Sequence, residues 1–338
     1  DVLSVAISAD GEYISAGTTF SSADDEIYLF HRNNNTPLWS YNPSGSINSV
    51  SISADGEYIV AGSVDENIYL FDKYSSTPLW SYTTNHWVNE VAISSDGEYM
   101  VARNHDDKVY FIPRNKIEFD WDYNVGQDGS INSVATSSDG EYIVTGSGGN
   151  YEINLFNKDS KSPIWTYTAG SNVISVAISA DGEYIAAGSI DDKVYLFDKD
   201  DSTPLWSYST GDIVVSVDIS ADGEYIVAGS GDDKVYLFDK DSSSPLWNYA
   251  TDDLVRSVAI SADGEYIIIG TEVSDGKVYL FDKDSNTPLW NYDTEYEVKS
   301  VDISADGEYI VVGSVGDKIY LFDKDSSTPL WNFDTGSD

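Results

Sequence analysis

The chain has no cysteine, one methionine, three histidines, and only 18 basic residues against 58 acidic ones. Without cysteine there are no disulfides, no thiolate metal ligands and no thiol chemistry. That absence fits either side of a membrane, so it leaves the compartment open. The shortage of Lys and Arg leaves a formal net charge of −40. Nucleic acid is a polyanion held through Lys and Arg, so it is not expected as a partner. Anionic lipid surfaces are disfavoured on the same ground. No apolar run is long enough to cross a bilayer as a helix, so membrane insertion is not expected. The opening residues, Asp1 to Ser8, read straight into a strand; no signal peptide is visible, and one already removed would leave the same picture. The plain role of the acidity is solvation, and its more specific role is attraction of a cationic partner.

What is abundant is repetition. Asp-Gly-Glu-Tyr occurs eight times, its glycines at Gly11, Gly56, Gly97, Gly140, Gly182, Gly223, Gly264 and Gly307. A period of 41 to 45 residues with several short strands in each unit points to a propeller. In the unit 173–210, VISVAIS, YIAAG, KVYLFD and PLWSYST read as four successive strands. The Asp-Gly pair is a hairpin signal between the first two. The fourth opens with Pro204, which cannot donate to a ladder and belongs on an edge. Seven units carry this proline, so the fourth strand is expected at the outer rim. The fold expected is all-β: an eight-bladed β-propeller of four-stranded antiparallel blades in one domain, one sequence repeat per blade. The repeats run approximately 1–42, 43–84, 85–125, 126–169, 170–210, 211–251, 252–294 and 295–338. The chain starts on a first strand and ends after a fourth, so the ring is expected to close without a shared blade.

Two families match these residues. SVAIS, DGEYIVAG and KVYLFDK in succession resemble a WD-repeat unit, with Phe197-Asp198 and its counterparts where Trp-Asp would stand. Leu196, Asp198, Ser202 and Trp206 have the spacing of the tryptophan-docking motif of PQQ-like (quinoprotein-type) propellers. Every unit places a Trp at that last position: Trp39, Trp80, Trp121, Trp165, Trp206, Trp247, Trp290 and Trp331. The resemblance implies eight blades with each Trp docking one blade on the next. Quinoprotein dehydrogenases commonly add vicinal cysteines, a calcium site and a carboxylate base. The chain lacks Cys and shows no inserted cofactor roof, so neither a cofactor nor an enzyme is expected. Similar non-catalytic propellers include WD-repeat scaffolds, an outer-membrane-assembly lipoprotein and archaeal surface-layer propellers.

Turns 1–2 and 3–4 share one face of such a blade and are nearly uniform here; loops 2–3 and 4–1 share the other and vary. The sharpest departure joins Asn85-His86-Trp87 to Arg103-Asn104-His105-Asp106-Asp107 in unit 3. Trp and Arg are preferred binding anchors, and His makes a contact sensitive to pH. His86, Trp87, Arg103 and His105 are therefore candidate binding residues; variation in a solvent loop is the plainer reading. A second set lines the mouth of the central channel: Leu3, Asn48, Asn89, Asn132, Ile174, Val215, Arg256 and Lys299. Arg256 and Lys299 suit a carboxylate or phosphate; pairing with Asp252, Asp253 or Glu297 is the ordinary alternative. Acidic turns such as Asp198-Lys199-Asp200-Asp201 offer oxygens to Ca²⁺ but lack the spacing of a calcium loop, so they read as turn formers and no metal site is expected. No catalytic residue stands out, since His31 lies on the opposite face from His86 and His105. The sequence thus predicts a non-enzymatic binding or scaffold module, at a cell exterior, presenting its variable face to a protein or polymer partner. Cofactor-binding enzyme relative and self-associating surface-layer or filament subunit are the alternatives.

Overall fold

The computed structural model describes residues 1–19, 26–115, 120–124, 130–272 and 276–336. Within them, 32 strands form eight four-stranded antiparallel sheets, each using four consecutive strands. The sheets span 2–41, 47–83, 88–124, 131–168, 173–209, 214–250, 255–293 and 298–334, which we number as blades 1 to 8. The molecule is an eight-bladed β-propeller with one sequence repeat per blade. Its innermost strands pack in a circle, that of blade 8 meeting that of blade 1. None of the described residues forms a helix long and apolar enough to cross a membrane.

Blade 5 shows why the residues take these places. Its strands are Val173–Ile178, Tyr184–Ser189, Lys193–Asp198 and Trp206–Ser209. The first three agree with the sequence reading to within a residue, but the fourth is shorter. Pro204 and Leu205 lie in a bend before it. Proline has no N–H to give, so only the Leu205 N–H reaches across, to the Leu196 carbonyl at 2.8 Å, before the ladder starts at Trp206. The turn between the first two strands needs glycine twice over. Gly182 sits at φ 75°, and a Cβ there would come within 2.5 Å of the Tyr142 ring of blade 4. All eight Asp-Gly-Glu-Tyr glycines make this approach, each to the tyrosine of the preceding blade.

The core lies between blades rather than within them. Val194 and Leu196 of blade 5 pack with Val214, Val217, Ile226, Tyr236 and Phe238 of blade 6, and the cluster is closed by Trp206 and Tyr208. Three hydrogen bonds recur at every seam. On the outside each Trp indole N–H donates to a main-chain carbonyl of the next blade, from Trp39 to Lys73 at 3.1 Å round to Trp331 to Arg32 at 2.7 Å. The same indoles lie over the next blade's Phe, as Trp206 does on Phe238 with centroids 5.2 Å apart; at Trp80 the partner is Ile112 instead. On the inside, a main-chain N–H donates to a side-chain oxygen of the preceding blade, a serine hydroxyl at seven seams, as Val217 does to Ser175 at 3.0 Å, and a glutamate carboxylate at the eighth. Finally, eight carbonyl–amide bonds run in a closed circle, from Ala9 N–H to Ala54 round to Ala305 N–H to Ala9, at 2.8–3.1 Å.

Trp206→Phe keeps most of the buried ring but leaves the Lys240 carbonyl without its donor. We expect a loss of about 1–2 kcal/mol and for Trp206→Ala about 3 kcal/mol or more, read as a shift in the denaturant midpoint of the cooperative transition.

Candidate functional site

On the uniform face, the acidic turns are engaged by their own backbone. Asp198 accepts from the Asp200 N–H at 2.8 Å and Asp201 from the Thr203 N–H at 2.8 Å, while Lys199 pairs with Glu183 and Asp200. Among the described residues, no three His or acidic side chains converge as a metal cage.

On the variable face, blades 2, 5 and 6 each tie their two loops together with one aspartate. Asp191 accepts from the Tyr195 hydroxyl at 2.5 Å and from the Gly170 N–H at 2.8 Å; Asp232 does the same with Tyr236 and Gly211. Blade 3 breaks this tie. Its tyrosine, Tyr110, turns to the Thr84 carbonyl at 3.2 Å and takes a bond from Asn104. The corresponding aspartate, Asp106, is freed to meet His86 Nε2 at 3.0 Å. Its side chain is 51% exposed where that of Asp232 is 9% exposed. Asn85 and Asp107 hold the loops in the left-handed region, at φ 67° and 63°, where Asn and Asp are tolerated. The outcome is a raised patch. The His86 and His105 rings lie 6.5 Å apart, Trp87 meets His105 edge-on at 5.6 Å, and the Trp87 indole is 51% exposed. His86, Trp87 and His105 are thus brought together.

Arg103 is not part of that patch. It stands where other blades have the strand glycine, whose Cβ would strike the next blade: at Gly62 it would lie 2.6 Å from Val88. The side chain therefore runs into the seam between blades 3 and 4. Its Nε donates to Glu90 at 3.0 Å and its Nη1 to the Ile131 carbonyl at 2.9 Å. Glu90 itself occupies the place of the seam serine and takes over its bond, accepting from the Val134 N–H at 3.1 Å. Burial pushes the Glu90 carboxyl up, and Arg103 opposes that shift. The Arg and Glu are a matched replacement for Gly and Ser within the seam.

The channel has two chemically different ends. At the variable face each innermost strand carries an irregularity, skipping one residue between, for example, Val255 and Ser257. Such bulges re-aim a side chain. The skipped residues are Leu3, Asn48, Asn89, Asn132, Ile174, Val215, Arg256 and Lys299. These are the residues expected at the mouth, and five of them line a cavity of about 430 Å³. Lys299 pairs with Glu297 at 2.5 Å. Arg256 makes none of the three expected pairings: Asp252 is taken by Lys277 at 2.8 Å, Asp253 accepts from the Leu254 N–H, and Glu297 is the partner of Lys299.

At the uniform face the channel narrows to a collar that includes Ile7, Ile52, Ile93, Ile178, Ile260 and Ile303. Two carboxylates that the sequence reading passed over stand here, in blades 6 and 8. Asp218 accepts from the N–H of Ile219 and of Ile260 in the next blade, both at 2.9 Å. Asp302 likewise bridges Ile303 and Ile7 at 2.9 Å. Burial pushes Asp218 up to about 6 and Asp302 up to about 7, against the pull of those amides; the Asp218 charge adds to the second shift. The signal was available. When the eight repeats are aligned, Glu90 replaces a serine, and Asp218 and Asp302 stand where most blades have alanine.

A family model described as outer membrane protein assembly factor BamB matches residues 121–263. A second, described as WD domain, G-beta repeat, matches residues 35–72 and 287–323. The chain therefore carries both repeat signatures, in different blades. A search of curated proteins finds no match.

Because the two channel carboxyls hold protons more tightly folded than unfolded, they weaken the fold above about pH 7, and that loss is recovered as pH falls toward 4. A D218A/D302A double variant, which carries the alanine of most other blades, should be more stable than the parent at pH 8 by on the order of 2 kcal/mol, allowing for water in the channel. The advantage should vanish near pH 4.5, as measured by urea midpoints across that range. For the blade 3 seam, Arg103→Gly strands Glu90 and should cost about 3 kcal/mol, whereas R103G/E90S restores the residues of the other seams and should recover most of that stability.

Proposed function

We propose that this eight-bladed propeller is a non-enzymatic interaction module that takes a cationic segment of a protein or polymer partner on its variable-loop face. The observation that carries the reading is the half-exposed Trp87 indole, set among His86, His105 and the freed Asp106. An exposed indole beside a carboxylate suits a Lys or Arg side chain: the ring face attracts the cation and the carboxylate supplies its counter-charge. The net charge of −40 draws such a partner from a distance. The closed ring supplies rigidity, and the loops of blade 3 supply the departure that discriminates. A location at a cell exterior belongs to the same reading, supported by the outer-membrane description of one matching family model.

A second reading, self-packing as a structural subunit, draws on the outer rim. Leu38, Leu79, Leu205, Leu246, Leu289 and Leu330, with Ile164, are each about half exposed beside the docking tryptophans. Light scattering across a concentration series decides it, and a strict monomer overturns it.

The first reading is tested with a labelled Arg/Lys-rich peptide at two salt concentrations. Trp87→Ala should weaken binding about 10-fold or more, while Leu205→Ala on the rim leaves it unchanged. Equal binding by the W87A variant would mean nonspecific attraction to the acidic surface and would overturn the proposal. A saturable rise in Tm on adding PQQ and Ca²⁺ would favour a cofactor enzyme instead.

A further inference from the structure

We infer that the channel mouth on the variable face is a binding site for a monocarboxylate carried on a short apolar body, with Arg256 as the group that holds it. The inference stands apart from the loop-face reading, since it uses neither Trp87 nor a cationic partner.

Arginine is scarce in this chain, and three of its four copies are committed to carboxylates: Arg32 to Glu12, Arg103 to Glu90 and Arg114 to Glu98. Arg256 has no carboxylate partner among the described residues, although the chain holds 58 acidic side chains. The bulge between Val255 and Ser257 places it in the lumen, exposed, on the wall of the cavity of about 430 Å³. The acids of the channel are out of reach or already engaged. Asp218 lies three residues down its strand from the mouth residue Val215, roughly 10 Å away, and both of its oxygens are occupied by amides. Glu90 is held by Arg103 and the Val134 N–H. Lys299, beside Arg256 on the next blade, is neutralised by Glu297.

The neighbours on the wall define the rest of the ligand. Going round from Arg256 the bulges present Val215 and then Ile174, both lining the same cavity. A guanidinium followed by two aliphatic side chains fits an anionic head and an apolar tail. The planar fork of arginine matches a carboxylate through two parallel N–H bonds. The charge of the whole molecule adds selectivity. Any anion entering the mouth works against a net charge of −40, and a dianion meets that field twice over. The site therefore favours a singly charged carboxylate over phosphate or a dicarboxylate. The volume is in the lower part of the range of small-molecule pockets, enough for a short-chain acid or for the C-terminal residue of a peptide.

With only four arginines, the ¹⁵N-resolved Nε–H signals of the intact protein give a direct readout. Hexanoate titrated at constant ionic strength should move one of the four saturably, with a millimolar Kd, and that signal should be the one missing from Arg256→Gln. Hexanol, which has the tail without the charge, and inorganic phosphate should move it at least 10-fold less. A tetrapeptide ending in leucine, compared with its C-terminal amide, separates the two sources: a shift with the free acid alone points to a chain terminus, and a shift with hexanoate alone to a small acid. No saturable shift with either, or equal shifts of all four arginine signals, overturns the site. Far-UV circular dichroism of the R256Q variant confirms that the fold is retained, so that loss of binding is read at the guanidinium.

Discussion

Each blade of this ring is held by its neighbours more than by itself. The apolar clusters straddle seams, with residues from the second to fourth strands of one blade facing the first three strands of the next. A four-stranded sheet detached from the ring would expose that face, so the blades stand or fall together, as in other stacked repeats where the interface term dominates. The indole-to-carbonyl bond on the outside and the serine-to-amide bond on the inside fix each joint at two radii, and so fix the wedge angle. Eight such angles must sum to a circle, which leaves little freedom in any one of them.

That constraint accounts for where the chain varies. Some seam positions change together and others are absorbed singly. At the joint between blades 3 and 4, Glu90 takes over the serine's hydrogen bond and Arg103 neutralises it in the space a glycine left. At the joint between blades 2 and 3, Ile112 stands under Trp80 where the others have Phe, and the indole still reaches the Arg114 carbonyl at 3.0 Å. Substitutions that do not touch a seam collect in two places, the loops of the variable face and the side chains that bulges push into the lumen. Both candidate sites lie there, one in the loops of blade 3 and one among the bulge residues of blades 5, 6 and 7.

Electrostatics divides the molecule in the same way. On the uniform face the lysines are neutralised by the acidic turns, as Lys240 is by Glu224 and Asp241. In the channel, carboxylates are taken out of bulk water, which raises their proton affinity toward neutrality against the pull of the main-chain amides that bind them across a seam. At the loop patch the half-exposed Asp106 meets only His86, and at the mouth Arg256 has no carboxylate partner among the described residues. The two proposed sites, one for a cation and one for a small anion, are held apart by the closed ring.

The repeat period, the Asp-Gly turns and the evenly placed tryptophans were enough by themselves to determine eight blades, their strand order and the rim position of the fourth strand. Those features are local: a turn, an alternation of apolar residues and a missing N–H act over a few residues. The nearness of His86, Trp87 and His105 was legible for the same reason, since loops 4–1 and 2–3 of one blade must share a face. Only the tertiary structure decided where Arg103 points, because the direction of a side chain at a glycine position is set by the blade packed against it. It also decided that Asp218 and Asp302 bridge blades, that Lys299 is paired, and that Arg256 is not. Such pairings depend on which groups the closed ring brings within a few ångströms across a seam or a channel, and no spacing along one strand carries that information.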